Sequence, residues 1–164
     1  RACLIAAALL LLFGLAGAAA TRAVLVGFAI WGAMMFWPDV HVMPRHIWAI
    51  ALFGLLGSFM LAFMGVLTSI WAEKFDHAAA VTNFVVAPLA LLSGTFYSVD
   101  KLAPTFAAIS HANPFHYAIS GFRYGFIGQA DIPLGFGIAL LVGINVVLAA
   151  TCYLLLKTGW KIKS

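Results

Sequence analysis

The chain has 164 residues, of which 65% are hydrophobic and 9% charged, with a formal charge of +4. A soluble domain carries about 45–50% apolar and ~25% charged residues, so most of this chain needs the bilayer as its solvent. The few basic residues are scattered or gathered at the end without a stripe, which excludes nucleic acid as a partner.

In chain order, a first apolar run covers residues 2–20, and a second covers 23–37 after the interruption at Thr21-Arg22. One helix through both would be about 54 Å long, against a hydrocarbon core of about 30 Å. Two readings follow: two spans meet near Arg22, or residues 2–20 form a helix that does not fully cross. The stretch around Pro38, Asp39, His41, Pro44, Arg45 and His46 reads as a loop. Its Asp39, His41 and His46 match no standard metal-site spacing. The run 47–71 carries no charge and is the clearest span, with Gly54, Gly57, Ser58, Ala62 and Gly65 available for close helix contact.

Glu73, Lys74, Asp76 and His77 form a charged turn. The next span is 78–96, and Pro88 is expected to kink it. The region 99–129 is too aromatic for a simple loop. Leu102, Phe106 and Ile109 share a helical face, as in an interfacial helix. Asn113-Pro114 starts a second short helix, in which Phe115, Tyr117, Phe122, Tyr124 and Phe126 form an aromatic belt around Arg123. Arg123 is either an anchor reaching the headgroups or a contact for an anionic or sugar-bearing substrate. A final span is 134–156. Cys3 and Cys152 lie in apolar runs and read as inert thiols.

The predicted fold is an all-α polytopic membrane protein, with about four to five transmembrane helices and short outer-leaflet re-entrant or interfacial helices. Lys157, Lys161 and Lys163 follow the last span, which puts the C-terminus in the cytoplasm. Arg22 and Lys74 then lie inside, and Arg45, Lys101 and Arg123 outside.

No Ser-His-Asp set, HExxH or Walker A motif is present in the sequence. A membrane enzyme acting on lipids would have only Asp100, Asp131, His111 and His116 on the outer side. A passive channel or secondary transporter would place ionisable groups within its spans.

The ordered blocks Glu73–Asp76, Ser93-Gly-Thr-Phe96, Leu102–Pro104, Asn113-Pro114 and Ser120-Gly-Phe-Arg-Tyr-Gly125 resemble the C-terminal part of the type-2 ABC exporter permease family. Thr21-Arg-Ala-Val-Leu-Val-Gly27 is similar to the family segment opening its third span, so the resemblance covers roughly residues 20–164. It implies a single permease domain, incomplete at its N-terminus, in a multi-pass protein of the cytoplasmic membrane. It implies a homodimeric export pathway surrounded by lipid, with re-entrant helices at 99–129. A separate ABC ATPase subunit would bind ATP and Mg, and this chain would bind no cofactor. By that resemblance Asn83, Pro88, Ser93, Gly94, Thr95, Phe96, Tyr97, Asn113, Pro114 and Arg123 line the pathway or its outer gate. Glu73, Lys74 and Asp76 would touch the ATPase.

Overall fold

The computed structural model describes residues 2–36, 43–72, 74–93 and 110–158, and every regular element among them is a helix. Three helices are long and apolar enough to cross a membrane: Leu12–Met35, Ile47–Trp71 and Leu134–Thr158. A shorter apolar helical stretch runs over Asp76–Leu91. The chain is thus an all-α protein with the helices of a polytopic membrane protein.

Helix α1 covers Ala2–Met35 without a break. This corrects the division expected at Thr21-Arg22. The Thr21 hydroxyl donates to the Gly17 carbonyl at 2.8 Å, so the polar group is satisfied inside its own helix. Arg22 points outward and is exposed. Neither residue removes a ladder hydrogen bond, and the flanking alanines favour continuation. Arg22 therefore sits within a helix and not in a loop.

Helix α2, Ile47–Trp71, is the centre of the fold, and α1 packs along it. It ends where Ala72 turns to an extended conformation, with its N–H still held by the Thr68 carbonyl at 2.8 Å. Then α3 (Phe75–Val81), a π-helical turn (Thr82–Val86) and α4 (Ala87–Leu91) form one ascending stretch. The disturbance expected at Pro88 is seen in the backbone just ahead of it. Proline has no N–H, so the ladder loses a bond ahead of it. The helix widens upstream, and the Ala87 N–H reaches back five residues to the Thr82 carbonyl.

Helix α5, Pro114–Ile127, starts where Asn113-Pro114 predicted. Asn113 Oδ1 accepts from the Phe115 N–H at 3.0 Å, and proline occupies the first turn where its missing donor costs nothing. The helix ends at Gly128, whose φ of 78° is left-handed and whose N–H bonds the Tyr124 carbonyl at 2.8 Å. Helix α6, Leu134–Thr158, completes the fold. Ala49, Phe53 and Met60 of α2, Phe115 and Tyr117 of α5, and Leu141 of α6 make the buried core.

The contact of α5 with α2 explains one sequence block. Gly121 and Gly125 stand one turn apart and face α2. A Cβ on Gly121 would overlap the Phe53 ring. A Cβ on Gly125 would overlap Ile50 and stand 3.0 Å from the Ile50 nitrogen. Opposite them, a Cβ on Gly54 would meet Phe122 at 3.5 Å, and one on Gly57 would meet Ala118 at 3.5 Å. Small residues on both partners let the backbones approach, the usual means of helix packing in lipid.

Helix α6 meets α2 through two polar links. Asn145 Nδ2 donates to the Leu56 carbonyl at 3.1 Å and to its own helix at Leu141 at 2.9 Å. Cys152 Sγ contacts the Phe63 carbonyl at 3.5 Å. Asn145 Oδ1 is buried and has no hydrogen-bond partner among the described residues. A cross-helix hydrogen bond in a membrane protein contributes about 0.6 kcal/mol on average. A buried acceptor left unsatisfied costs about 1–3 kcal/mol. Asn145 thus gives little or no net stability.

Candidate functional site

Most of the buried polar side chains among the described residues gather where the top of α4 meets the start of α5. A helix leaves its last carbonyls without intrahelical partners. At the end of α4 those carbonyls are met by side chains from the other side of the junction. Asn113 Nδ2 donates to Leu89 O at 2.6 Å, and Ser110 Oγ donates to Leu92 O at 2.7 Å. His116 Nδ1 lies 3.0 Å from Ser93 O; a carbonyl only accepts, so this nitrogen carries the proton. Ser93 Oγ turns back to the Ala90 carbonyl. Ser93, Ser110, Asn113 and His116 are all buried. Asn113 does two jobs, with its oxygen capping α5 and its nitrogen holding α4. The Tyr117 hydroxyl donates to His111 O at 2.8 Å and secures the turn that precedes α5.

The other end of α5 is tied as firmly. The Gly125 carbonyl accepts from the Arg45 and His46 amides, each at 2.9 Å. Tyr124 stacks on His46 with ring centroids 4.7 Å apart and 9° between planes. Arg45 passes over Gly128, so a Cβ there would stand 3.2 Å from Arg45 Cδ. Arg123 pairs with Asp131, and the Asp131 N–H donates to Ser120 Oγ at 3.2 Å. Arg123 is thus a partner of a carboxylate from the α5–α6 connection. The sequence did not indicate this pairing, because a lone arginine among aromatics gives no sign of where its counter-ion lies. An anionic ligand at Arg123 would have to compete with Asp131.

The remaining expected site residues fall in four groups. Ser93, Asn113 and Pro114 meet at the α4–α5 junction, with Pro88 one turn below on α4. Asn83 lies apart from them, exposed on the π turn. Gly94, Thr95, Phe96 and Tyr97 lie outside the described residues, as do Glu73 and the stretch with Leu102, Phe106 and Ile109. Lys74 and Asp76 are exposed at the foot of α3. Ser110 was not singled out, and His116 was weighed only as an ionisable group of the outer side and not as part of the gate; their contacts are with carbonyls about twenty residues away, which no local spacing reveals.

Between α2 and the ascending stretch lies a cleft of about 690 Å³. Leu61, Met64 and Val86 give it apolar walls, and Thr68, Thr82 and Lys74 give it polar positions. The Thr68 and Thr82 hydroxyls donate back into their own helices, at 2.7 and 3.1 Å, so each turns an acceptor outward.

The sequence of the chain matches known proteins along most of its length. It is 35% identical over 152 residues to "Inner membrane transport permease YadH" of Escherichia coli K12, covering 92% of this chain and 58% of that protein. The same figures hold for the protein of that name in Shigella flexneri. It is 28% identical over 132 residues to "Nodulation protein J" of Neorhizobium galegae, covering 73% of this chain and 45% of that protein. The chain therefore spans about half the length of these curated relatives. No solved structure matches it significantly. The family model described as ABC-2 type transporter matches residues 5–127, which takes in nearly all of α1, then α2, the ascending stretch, the clamp at its top and all of α5, so the chain belongs to the ABC-2 type transporter family.

Proposed function

We propose that this chain is the membrane-spanning part of a permease subunit in an ATP-binding-cassette exporter of the cytoplasmic membrane. A second copy would complete the pathway, and a separate ATPase subunit would bind ATP and Mg. The observation that carries the reading is the clamp at the α4–α5 junction in a chain of this family. A short helix, too short to span at about 21 Å, is buried against the upper half of α2 and joined by three carbonyl contacts to the end of the ascending stretch. A short helix held in this way can close one end of a path and move when α4 moves.

In this reading the basic residue in the last turn of α6, Lys157, marks the cytoplasmic side. The 72–77 turn then faces the cytoplasm, where Lys74 and Asp76 meet the ATPase together with Glu73. Closure of the ATPase dimer pushes on that turn. The ascending stretch transmits the push through the π turn at Asn83 and Pro88 to Ser93 and Asn113. Residues 94–97, with Pro114 and Arg123, belong to the outer gate. The relatives named as an inner membrane transport permease favour the same location and class.

The test is co-purification of the full-length subunit with an ABC ATPase, followed by ATP hydrolysis in liposomes. A stable complex whose hydrolysis rises with a transported amphiphile supports the reading. A subunit that binds no ABC ATPase and leaves hydrolysis unchanged refutes it. A cysteine near Asp100 should react with an impermeant thiol reagent from outside, and one near Lys161 should not; the reverse would overturn the orientation.

A further inference from the structure

Two links between α2 and α6 share one arithmetic. Asn145 meets Leu56, and Cys152 meets Phe63; both pairs are 89 residues apart. The separation is constant, so the two helices run parallel and in fixed register. Each step along the seam is seven residues on both helices, from Leu56 to Phe63 and from Asn145 to Cys152. The buried or core-packed residues follow the same rhythm. On α2 they include Ala49, Phe53, Leu56 and Met60, and on α6 Ile138, Leu141, Asn145, Leu148 and Cys152. Their spacings alternate between three and four, the heptad pattern of a left-handed coiled-coil seam.

We infer that α2 and α6 form a parallel coiled-coil-like pair whose register is set by Asn145, a positioning residue in a largely apolar seam. Leu141 and Leu148 flank Asn145 on α6 at seam positions. A slip of one turn would bring Leu141 or Leu148 to the place of Asn145, while Ile138 and Leu141 would exchange one apolar side chain for another. The carboxamide is what does not exchange. In the observed register Nδ2 reaches the Leu56 carbonyl, beside Gly57, which adds no side chain. A slip one way sets the carboxamide against Phe53, already packed towards Gly121 and Gly137. A slip the other way sets it against the buried Met60. Either leaves a polar amide facing hydrocarbon.

The energetic signature agrees with a register role. Both acceptors, Leu56 O and Leu141 O, are carbonyls inside helices and keep their ladder partners without Asn145. Removing the side chain leaves no new unsatisfied group and abolishes one, since Oδ1 is buried with no hydrogen-bond partner among the described residues. A residue that adds little stability while excluding alternatives is how a single core asparagine acts in soluble coiled coils. The inference concerns helix register and stands whether or not the chain serves an exporter.

The experiment uses the full chain in proteoliposomes with Cys3→Ala, leaving Cys152 as the natural thiol of the seam. Single cysteines replace Met60, Phe63, Met64 or Leu67, and disulfide formation with Cys152 is read by mass. With Asn145 present, product should concentrate at one position. With Asn145→Leu, it should spread severalfold towards a position one turn away. The thermal midpoint should hold or rise by a few degrees. Asn145→Ala, which leaves a cavity and lowers the midpoint, should spread the product in the same way and serves if the leucine variant fails to insert. An unchanged pattern in both variants would overturn the inference, and so would a fall in the midpoint of Asn145→Leu with the register intact.

Discussion

The α2–α5–α6 body and the ascending stretch of α3, the π turn and α4 are held by different means. In the body, helices touch along their length. Gly121 and Gly125 bring α5 onto α2, and the Leu56–Asn145 and Phe63–Cys152 links run down the α2–α6 seam. Among the described residues the ascending stretch is joined mainly at its ends, where α2 gives way to α3 below and by the Asn113, Ser110 and His116 contacts above. Between those points it stands off α2 across a cleft of about 690 Å³. Phe84 in its middle is 81% exposed, whereas Phe53 in α2 is 1% exposed. Segments with few buried contacts open at lower free energy than the core beside them. Among the described residues the body is thus the tightly packed frame, and the stretch is the more loosely held element beside it.

The largest expected effect lies in the frame. Gly125→Ala forces a methyl group onto Ile50 and its backbone nitrogen, and overpacking of this kind costs about 1–3 kcal/mol. Gly121→Ala meets the Phe53 ring and should cost a similar amount. Gly135→Ala is the control, because nothing stands within 4 Å of its Cβ. Thermal unfolding in detergent checks all three, and equal midpoints would show that the close approach of α5 to α2 does not hold the frame together. Next comes Asn113→Ala. Loss of the cap costs about 0.5–2 kcal/mol. Because the same side chain holds Leu89 O, hydrogen exchange should quicken at residues 87–92 as well as at the start of α5. Exchange that quickens in α5 alone would show that the clamp does not hold α4.

A smaller effect is expected at Arg123 and Asp131. Both side chains are partly exposed, at 26% and 19%, so separating them should cost about 1 kcal/mol or less. Arg123→Ala and Asp131→Ala should lose similar stability, with little further loss in the double variant. Additive losses would mean that the pair does not act as one. The smallest expected change in stability is at Asn83→Ala. An exposed residue of this kind shifts stability by about 0.5 kcal/mol at most. A fall in transport with the midpoint unchanged would support the pathway reading of the π turn. Unchanged transport would remove Asn83 from it.

What the sequence disclosed was local. Asn113-Pro114 announced a helix start because capping and proline act within one turn. The uncharged run at 47–71 announced α2. Pro88 announced a disturbance, and the form it takes in the backbone, a widening into a π turn at Thr82–Val86, was not legible in the sequence. Thr21-Arg22 was misleading because side-chain polarity resembles a boundary, while a hydroxyl can satisfy itself within a helix and an outward arginine breaks nothing. The glycines of Ser120-Gly-Phe-Arg-Tyr-Gly125 are visible in the sequence, but their partners Phe53 and Ile50 are not. The clamp and the Asn145 link depend on residues 18 to 89 positions apart. Such pairings follow from tertiary packing, and one chain read alone does not contain them.

Cys152 offers a way to watch the frame directly. Its thiol is fully buried against the Phe63 carbonyl, in the seam between α2 and α6. A small alkylating reagent reaches it only while those helices part. The labelling rate of the unmodified residue is therefore a clock for seam opening, with no engineered probe to disturb the packing. If the frame stays shut through a transport cycle, that clock should run at one speed whether or not ATP is being hydrolysed.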